Sequence, residues 1–171
     1  MIDTKISLSN PVIMRLEPEW FKMGYYVYVV LIRFKGRKYY YIGMTGDRKH
    51  ITARSPFYRM GGHFMLGKST QNQIIKGIES KLKFNVKEDS NILCEMNFTY
   101  YAWLIKDFMK NISKEDHGNN RTIAEKIESG LIEKCKVSFG EDYVFNNKGS
   151  RKNMNDYDDE VIQIFNQLNA Q

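Results

Sequence analysis

Residues 25–44 read YYVYVVLIRFKGRKYYYIGM. β-Branched and aromatic side chains suit a pleated surface, so the runs at 25–34 and 38–44 predict two strands. The short Lys35-Gly36-Arg37 connection predicts that they form a β-hairpin. Alternation along the second strand turns Tyr40 away from Tyr41. The hairpin then runs into Gly46-Asp47-Arg48-Lys49, a turn followed by two cations. Phenols, a tight turn and positive charge therefore meet within one short stretch.

Outward from the hairpin, Ser55 as N-cap and Pro56 at the first helical position predict a helix start. Gly61 and Gly62 weaken that helix, each by about 1 kcal/mol relative to alanine. Residues 69–82 predict a second short helix with Ile74, Ile75 and Ile78 on one face. The aromatic-rich run at 97–105 predicts a third strand. Residues 110–120, charged and bearing Asn and Gly, predict a loop. At 121–137, Ile123, Ile127, Leu131 and Cys135 recur every four residues and predict a helix with one buried stripe. Residues 140–155 are polar and read as irregular. A closing amphipathic helix at 156–170 carries acidic residues in its first turn, where the helix dipole favours them. The expected class is α+β: a small three-stranded, mostly antiparallel sheet flanked by helices, with insertions and a C-terminal helix.

The 171 residues suit a single domain with a real core. A hydrophobic fraction of 42% and a charged fraction of 27% place the chain among globular proteins rather than disordered ones. No apolar run of about 18 residues predicts a membrane span, and the N-terminus lacks a signal-peptide pattern. Two distant cysteines, Cys94 and Cys135, read as free thiols in a reducing compartment, and the expected location is cytoplasmic. With three scattered histidines they do not make a structural zinc pattern. A net charge of +6 favours a polyanionic partner.

Within this frame the chemistry-bearing residues are few. Tyr28 lies on the first strand and Tyr41 on the second. Arg59 and His63 are four apart and share a helix face. Glu125 and Glu128 are the candidate carboxylates of the later helix. A partly buried carboxylate beside phenol, guanidinium and imidazole can hold a hard divalent cation on phosphate oxygens. Tyrosine titrates near ~10, so a phenol acting as a base near neutrality needs a cation nearby.

These residues, in this order, resemble the GIY-YIG nucleases. Tyr26-Val27-Tyr28 stands where the family has Gly-Ile-Tyr, and Tyr41-Ile42-Gly43 followed by Met44-Thr45 matches the second half-motif. Arg59 and His63 keep the family's spacing. Glu128 within IESGLIEK occupies the place of the family's metal-binding glutamate, and Asn146 or Asn147 that of its late asparagine. The resemblance spans about residues 25–148, leaving an N-terminal arm (1–24) and a C-terminal helical tail (149–171). The chain departs from the family in Tyr26 and in a long gap between Tyr41 and Arg59, which makes Arg54 a rival for the arginine role.

The resemblance implies a metal-dependent DNA endonuclease with one Mg²⁺ (or Mn²⁺) per site on Glu128. It implies Arg59 on the phosphate, Tyr28 as base with Tyr41 in support, and His63 bonded to the base or the phosphate. Insertions near 44–58, 83–96 and 107–120 sit inside the core rather than in an appended module. That favours a type II restriction endonuclease cutting double-stranded DNA, acting as a homodimer and paired in the cell with a cognate methyltransferase. Arg48, Lys49 and Arg54 in one loop, with Lys148 and Arg151 in another, are the candidate DNA contacts. The alternatives are a structure-specific repair or mobile-element nuclease, or a nucleic-acid-binding module without catalysis.

Overall fold

A computed structural model of the chain describes residues 14–65, 72–146 and 155–170. Three strands, β1 (Gly24–Phe34), β2 (Arg37–Met44) and β3 (Asn97–Asp107), form one sheet in the order β2-β1-β3, and both pairings are antiparallel. Lys35 and Gly36 both take positive φ (47° and 74°), which gives the two-residue turn that matches strand twist. Phe34 therefore pairs with Arg37 and Tyr28 with Gly43. A register irregularity between Tyr25 and Tyr26 interrupts the pairing with β3.

As the central strand, β1 is buried on both faces, and its alternation divides the core in two. Tyr25, Val27, Val29 and Leu31 pack with Tyr40 and Ile42 against two helices, α3 (Lys114–Phe139) and α4 (Asp158–Asn169). Tyr28, Val30, Ile32 and Phe34 pack with Tyr39 and Tyr41 on the opposite face, with the isoleucines of α2 (Gln73–Gly77). The α1 helix (Pro56–His63) lies on this second side and brings His63 against the rings of Tyr28 and Tyr41. Ser55 caps it by accepting the Tyr58 N–H, as its sequence predicts.

The isoleucine-bearing helix starts at Gln73 and widens into a π-helical turn over Ile78–Leu82. The expected start at 69 lies outside the described residues. The loop expected at 110–120 is a correction: α3 begins at Lys114, two turns earlier than its apolar stripe indicates. Ser113 accepts the Asp116 N–H at 3.0 Å while donating to the Asp116 carboxylate at 2.7 Å. That reciprocal cap, with Glu115 and Asp116 in the first turn, carries the helix through Gly118, Asn119 and Asn120 despite their poor propensity. Gly130 lets α4 approach α3 closely, since a Cβ there would sit 2.8 Å from Val161.

The stretch after α3 is less irregular than its polarity implies. Glu141–Tyr143 form a 3-10 turn, Val144 bridges Tyr40 in parallel, and Val144 and Phe145 are buried. The outer edge of β2 is thereby covered, which is one way proteins protect exposed strand edges.

Candidate active site

The β1–β2 register decides where Tyr28 lies. Its ring rests over Gly43, and a Cβ at position 43 would stand 2.3 Å from the Tyr28 hydroxyl. The glycine thus leaves room for a phenol to lie flat on the neighbouring strand. From there the Tyr28 hydroxyl shares a 2.6 Å hydrogen bond with His63 Nε2. Tyr100 of β3 stacks on Tyr28, with ring centroids 5.0 Å apart and planes 20° apart. Tyr41 meets the His63 ring edge-on at 4.9 Å. Two phenols, from β1 and β2, therefore meet one imidazole from α1, and a third, from β3, stacks on the first.

Arg59, one turn before His63, faces the same cluster, and its charge acts on Tyr28, Tyr41, Tyr100 and Glu128. Its buried Nε has no hydrogen-bond partner, so a donor is left over. Its rival Arg54 lies over the Tyr58 ring instead, 4.6 Å from the centroid. Glu128 of α3 completes the group. It is half-buried, yet burial is the largest influence on its carboxyl, followed by repulsion from Glu125. Together they push its pKa up to about 8, against the pull of Arg59 and Arg121. Glu125 pairs with Arg121 at 2.8 Å, a helix-surface pair four residues apart.

Burial also raises the Tyr28 phenol above its ordinary value; Arg59 pulls it back and Glu128 adds to the rise. Tyr41 is driven well above the usual tyrosine range, again chiefly by burial. Both phenols therefore rest protonated, and Arg59 is the cation that opposes their burial.

Glu128 fits a divalent cation on the chemistry of its surroundings. A cation would relieve both the desolvation of its carboxylate and the repulsion from Glu125. No group of three or more His, Cys, Asp or Glu side chains forms a ready cage among the described residues. A single carboxylate matches the way magnesium is held when waters and substrate oxygens supply its other ligands.

Asn146 is bonded to the backbone of the neighbouring strand β2. Its amide accepts from the Ile42 N–H at 2.9 Å and donates to the Ile42 carbonyl at 2.7 Å. It braces the backbone of β2 between Tyr41 and Gly43. Asn147, Lys148 and Arg151 lie outside the described residues.

Arg48, Lys49, Arg54 and Arg59 line a single recess of about 310 Å³. Asp47 shapes its loop by accepting the N–H groups of Lys49 (2.7 Å) and His50 (3.1 Å). The loop is tied down by a residue that sequence reasoning passed over. His117 Nε2–H donates to the Asp47 carbonyl at 2.9 Å, and its Nδ1 takes the Tyr25 hydroxyl at 2.7 Å. The one hint in the sequence was the Ser113–Asp116 capping signature, which places His117 in the first turn of a helix.

The chain matches no protein-family model, no curated protein and no solved structure.

Two outcomes follow from this geometry. Replacing Gly43 with Ala pushes the Tyr28 ring off β2, because Tyr100 and His63 already hold it from the other sides. We expect a folded protein by circular dichroism whose Tyr28–His63 hydrogen bond, read from the imidazole ¹⁵N shifts of His63, is lost. The second concerns pH. Glu128 holds its proton to about 8 when folded, against an ordinary 4.5 when unfolded. Between those values the unfolded state ionises first, so stability falls as pH rises. The slope is at most about 1.4 kcal/mol per pH unit, a ceiling that the partial exposure of Glu128 lowers. In chelator, urea denaturation from pH 5 to pH 8 should show this decline in the wild type. Glu128→Gln should flatten it.

Proposed function

We propose that the protein is a metal-dependent DNA endonuclease of the GIY-YIG type, and specifically a type II restriction endonuclease acting on double-stranded DNA. The observation that carries this reading is the convergence of Tyr28, Tyr41, Arg59, His63 and Glu128, from four separate elements, beside a recess lined by four cations. Those five residues match the nuclease motif in order, and their gathering into one group is the arrangement that phosphodiester hydrolysis needs. Asp47, which also lines the recess, is used in shaping its loop, whereas a non-catalytic binding module has no such use for Glu128, whose carboxylate would repel a phosphate held by Arg59.

In this reading Arg48, Lys49 and Arg54 draw the DNA backbone into the recess through charge. Arg59 donates to the scissile phosphate and offsets the negative charge that grows in the transition state. Tyr28 orients the attacking water, and its hydrogen bond to His63 gives the phenolic proton a place to go. Tyr41, edge-on to the imidazole, holds His63 at that angle. Glu128 would hold Mg²⁺ or Mn²⁺, which supplies Lewis acidity at a phosphate oxygen. His117 keeps the cationic loop at a fixed place relative to β1 and α3. A homodimer on a symmetric site, and a methyltransferase protecting host DNA at that site, belong to the same proposal.

The test is digestion of phage DNA with Mg²⁺ or chelator, followed by sequencing of the ends. The wild type should give discrete, Mg²⁺-dependent fragments that share one short site. Glu128→Ala and Arg59→Ala should lose cleavage by at least about a hundredfold, and Tyr28→Phe should lose it while keeping DNA affinity. Cutting only at branches or flaps points to a repair nuclease. Binding without cutting under any metal sinks the catalytic reading.

A further inference from the structure

The α1 helix has two working faces. Arg59 and His63 point inward to the phenols, whereas Tyr58, one residue earlier, points out and is 57% exposed. The Arg54 guanidinium covers one side of the Tyr58 ring at 4.6 Å from its centroid. The same Arg54 lines the cationic recess with Arg59. One turn on, Gly61 faces open space, with nothing within 4 Å of where its Cβ would be. Beside this face Phe57 meets Phe21, itself 54% exposed, at 5.1 Å.

A large aromatic ring left in water forgoes the stabilisation that burial gives, and nothing in the core requires Tyr58 there. Its setting points to a particular occupant. The neighbouring recess attracts anions, which disfavours an apolar protein segment and favours a nucleic-acid strand. A phosphate satisfies the cations, but only a flat π-system satisfies the ring. A nucleobase attached to that phosphate provides both at once, and a guanidinium-backed ring is the kind of platform on which bases stack.

We propose that Tyr58, backed by Arg54, is a stacking platform for one unstacked nucleobase of the DNA strand whose phosphate lies in the cationic recess. The site takes a base outside the duplex stack, either extruded on binding or already unpaired. This deepens the nuclease reading and rests on it for the identity of the strand. Stacking is tolerant of base identity, so Tyr58 contributes affinity and placement of the strand rather than sequence choice.

The experiment measures binding in chelator, where cleavage plays no part. Fluorescence anisotropy compares a short oligothymidylate with the same sugar–phosphate strand lacking bases, for wild type, Tyr58→Ala and Tyr58→Phe. The wild type should prefer the base-bearing strand by about tenfold. Tyr58→Ala should lose that preference while binding the abasic strand as the wild type does, and Tyr58→Phe should keep it. Equal wild-type binding of the two strands overturns the platform, as does a preference that survives Tyr58→Ala. So does a Tyr58→Ala loss shared equally by both strands. If the wild type binds neither strand nor duplex DNA, the nuclease reading falls with it. If it cuts DNA but shows no base preference, the platform alone falls.

Discussion

The Tyr28 phenol lies in the space that Gly43 leaves on the adjacent strand, and the geometry of the site grows from that contact. A side chain at position 43 would displace the ring, and a displaced ring would not reach His63. The contact depends in turn on the Lys35–Gly36 turn, whose two positive φ values set Tyr28 opposite Gly43. A shift of one residue would send every β2 side chain to the other face and leave the phenol opposite a bulky neighbour. Asn146 supports the same point from outside the sheet by holding both backbone groups of Ile42.

The central strand serves both faces by the same device. On one side Tyr28 bonds to His63 of α1; on the other Tyr25 bonds to His117 of α3. The first pair forms part of the candidate active site. The second, through the Asp47 carbonyl, fixes the loop that carries Arg48 and Lys49. Because Tyr25 and Tyr28 belong to one central strand that is buried along nearly all its length, the phenol cluster and the cationic recess are held in a common frame. Arg59 joins them, since it faces the phenols and also lines the recess. The electrostatics of the site are those of an apolar enclosure: burial raises the pKa of Tyr28, Tyr41 and Glu128 alike, and Arg59 opposes each rise.

The hairpin, the Ser55 cap and the three strands were readable because each rests on local chemistry: β-branched runs, a turn glycine, a capping serine. The α3 start was not, because Gly118, Asn119 and Asn120 argue locally for a loop, and the Ser113 cap and the tertiary bonds of His117 override them. Tyr28, Tyr41, Arg59, His63 and Glu128 were readable as candidates through motif order, and the fold brings them together. Tyr100 and His117 were not, since each matters only through partners seventy or more residues away in the chain. Asn146 was singled out through motif order, whereas its two bonds to the Ile42 backbone were not readable, because they require knowing which strand edge lies beside it.

The most direct test of this account is a crystal structure of the protein with Mn²⁺ and a short DNA duplex, with the ion located by its anomalous signal. The account predicts one ion on the Glu128 carboxylate, on the side that faces Arg59 and the Tyr28–His63 pair, with a phosphate oxygen also on the ion. An ion bound elsewhere with Glu128 left bare, or DNA seated away from Arg59, would contradict it.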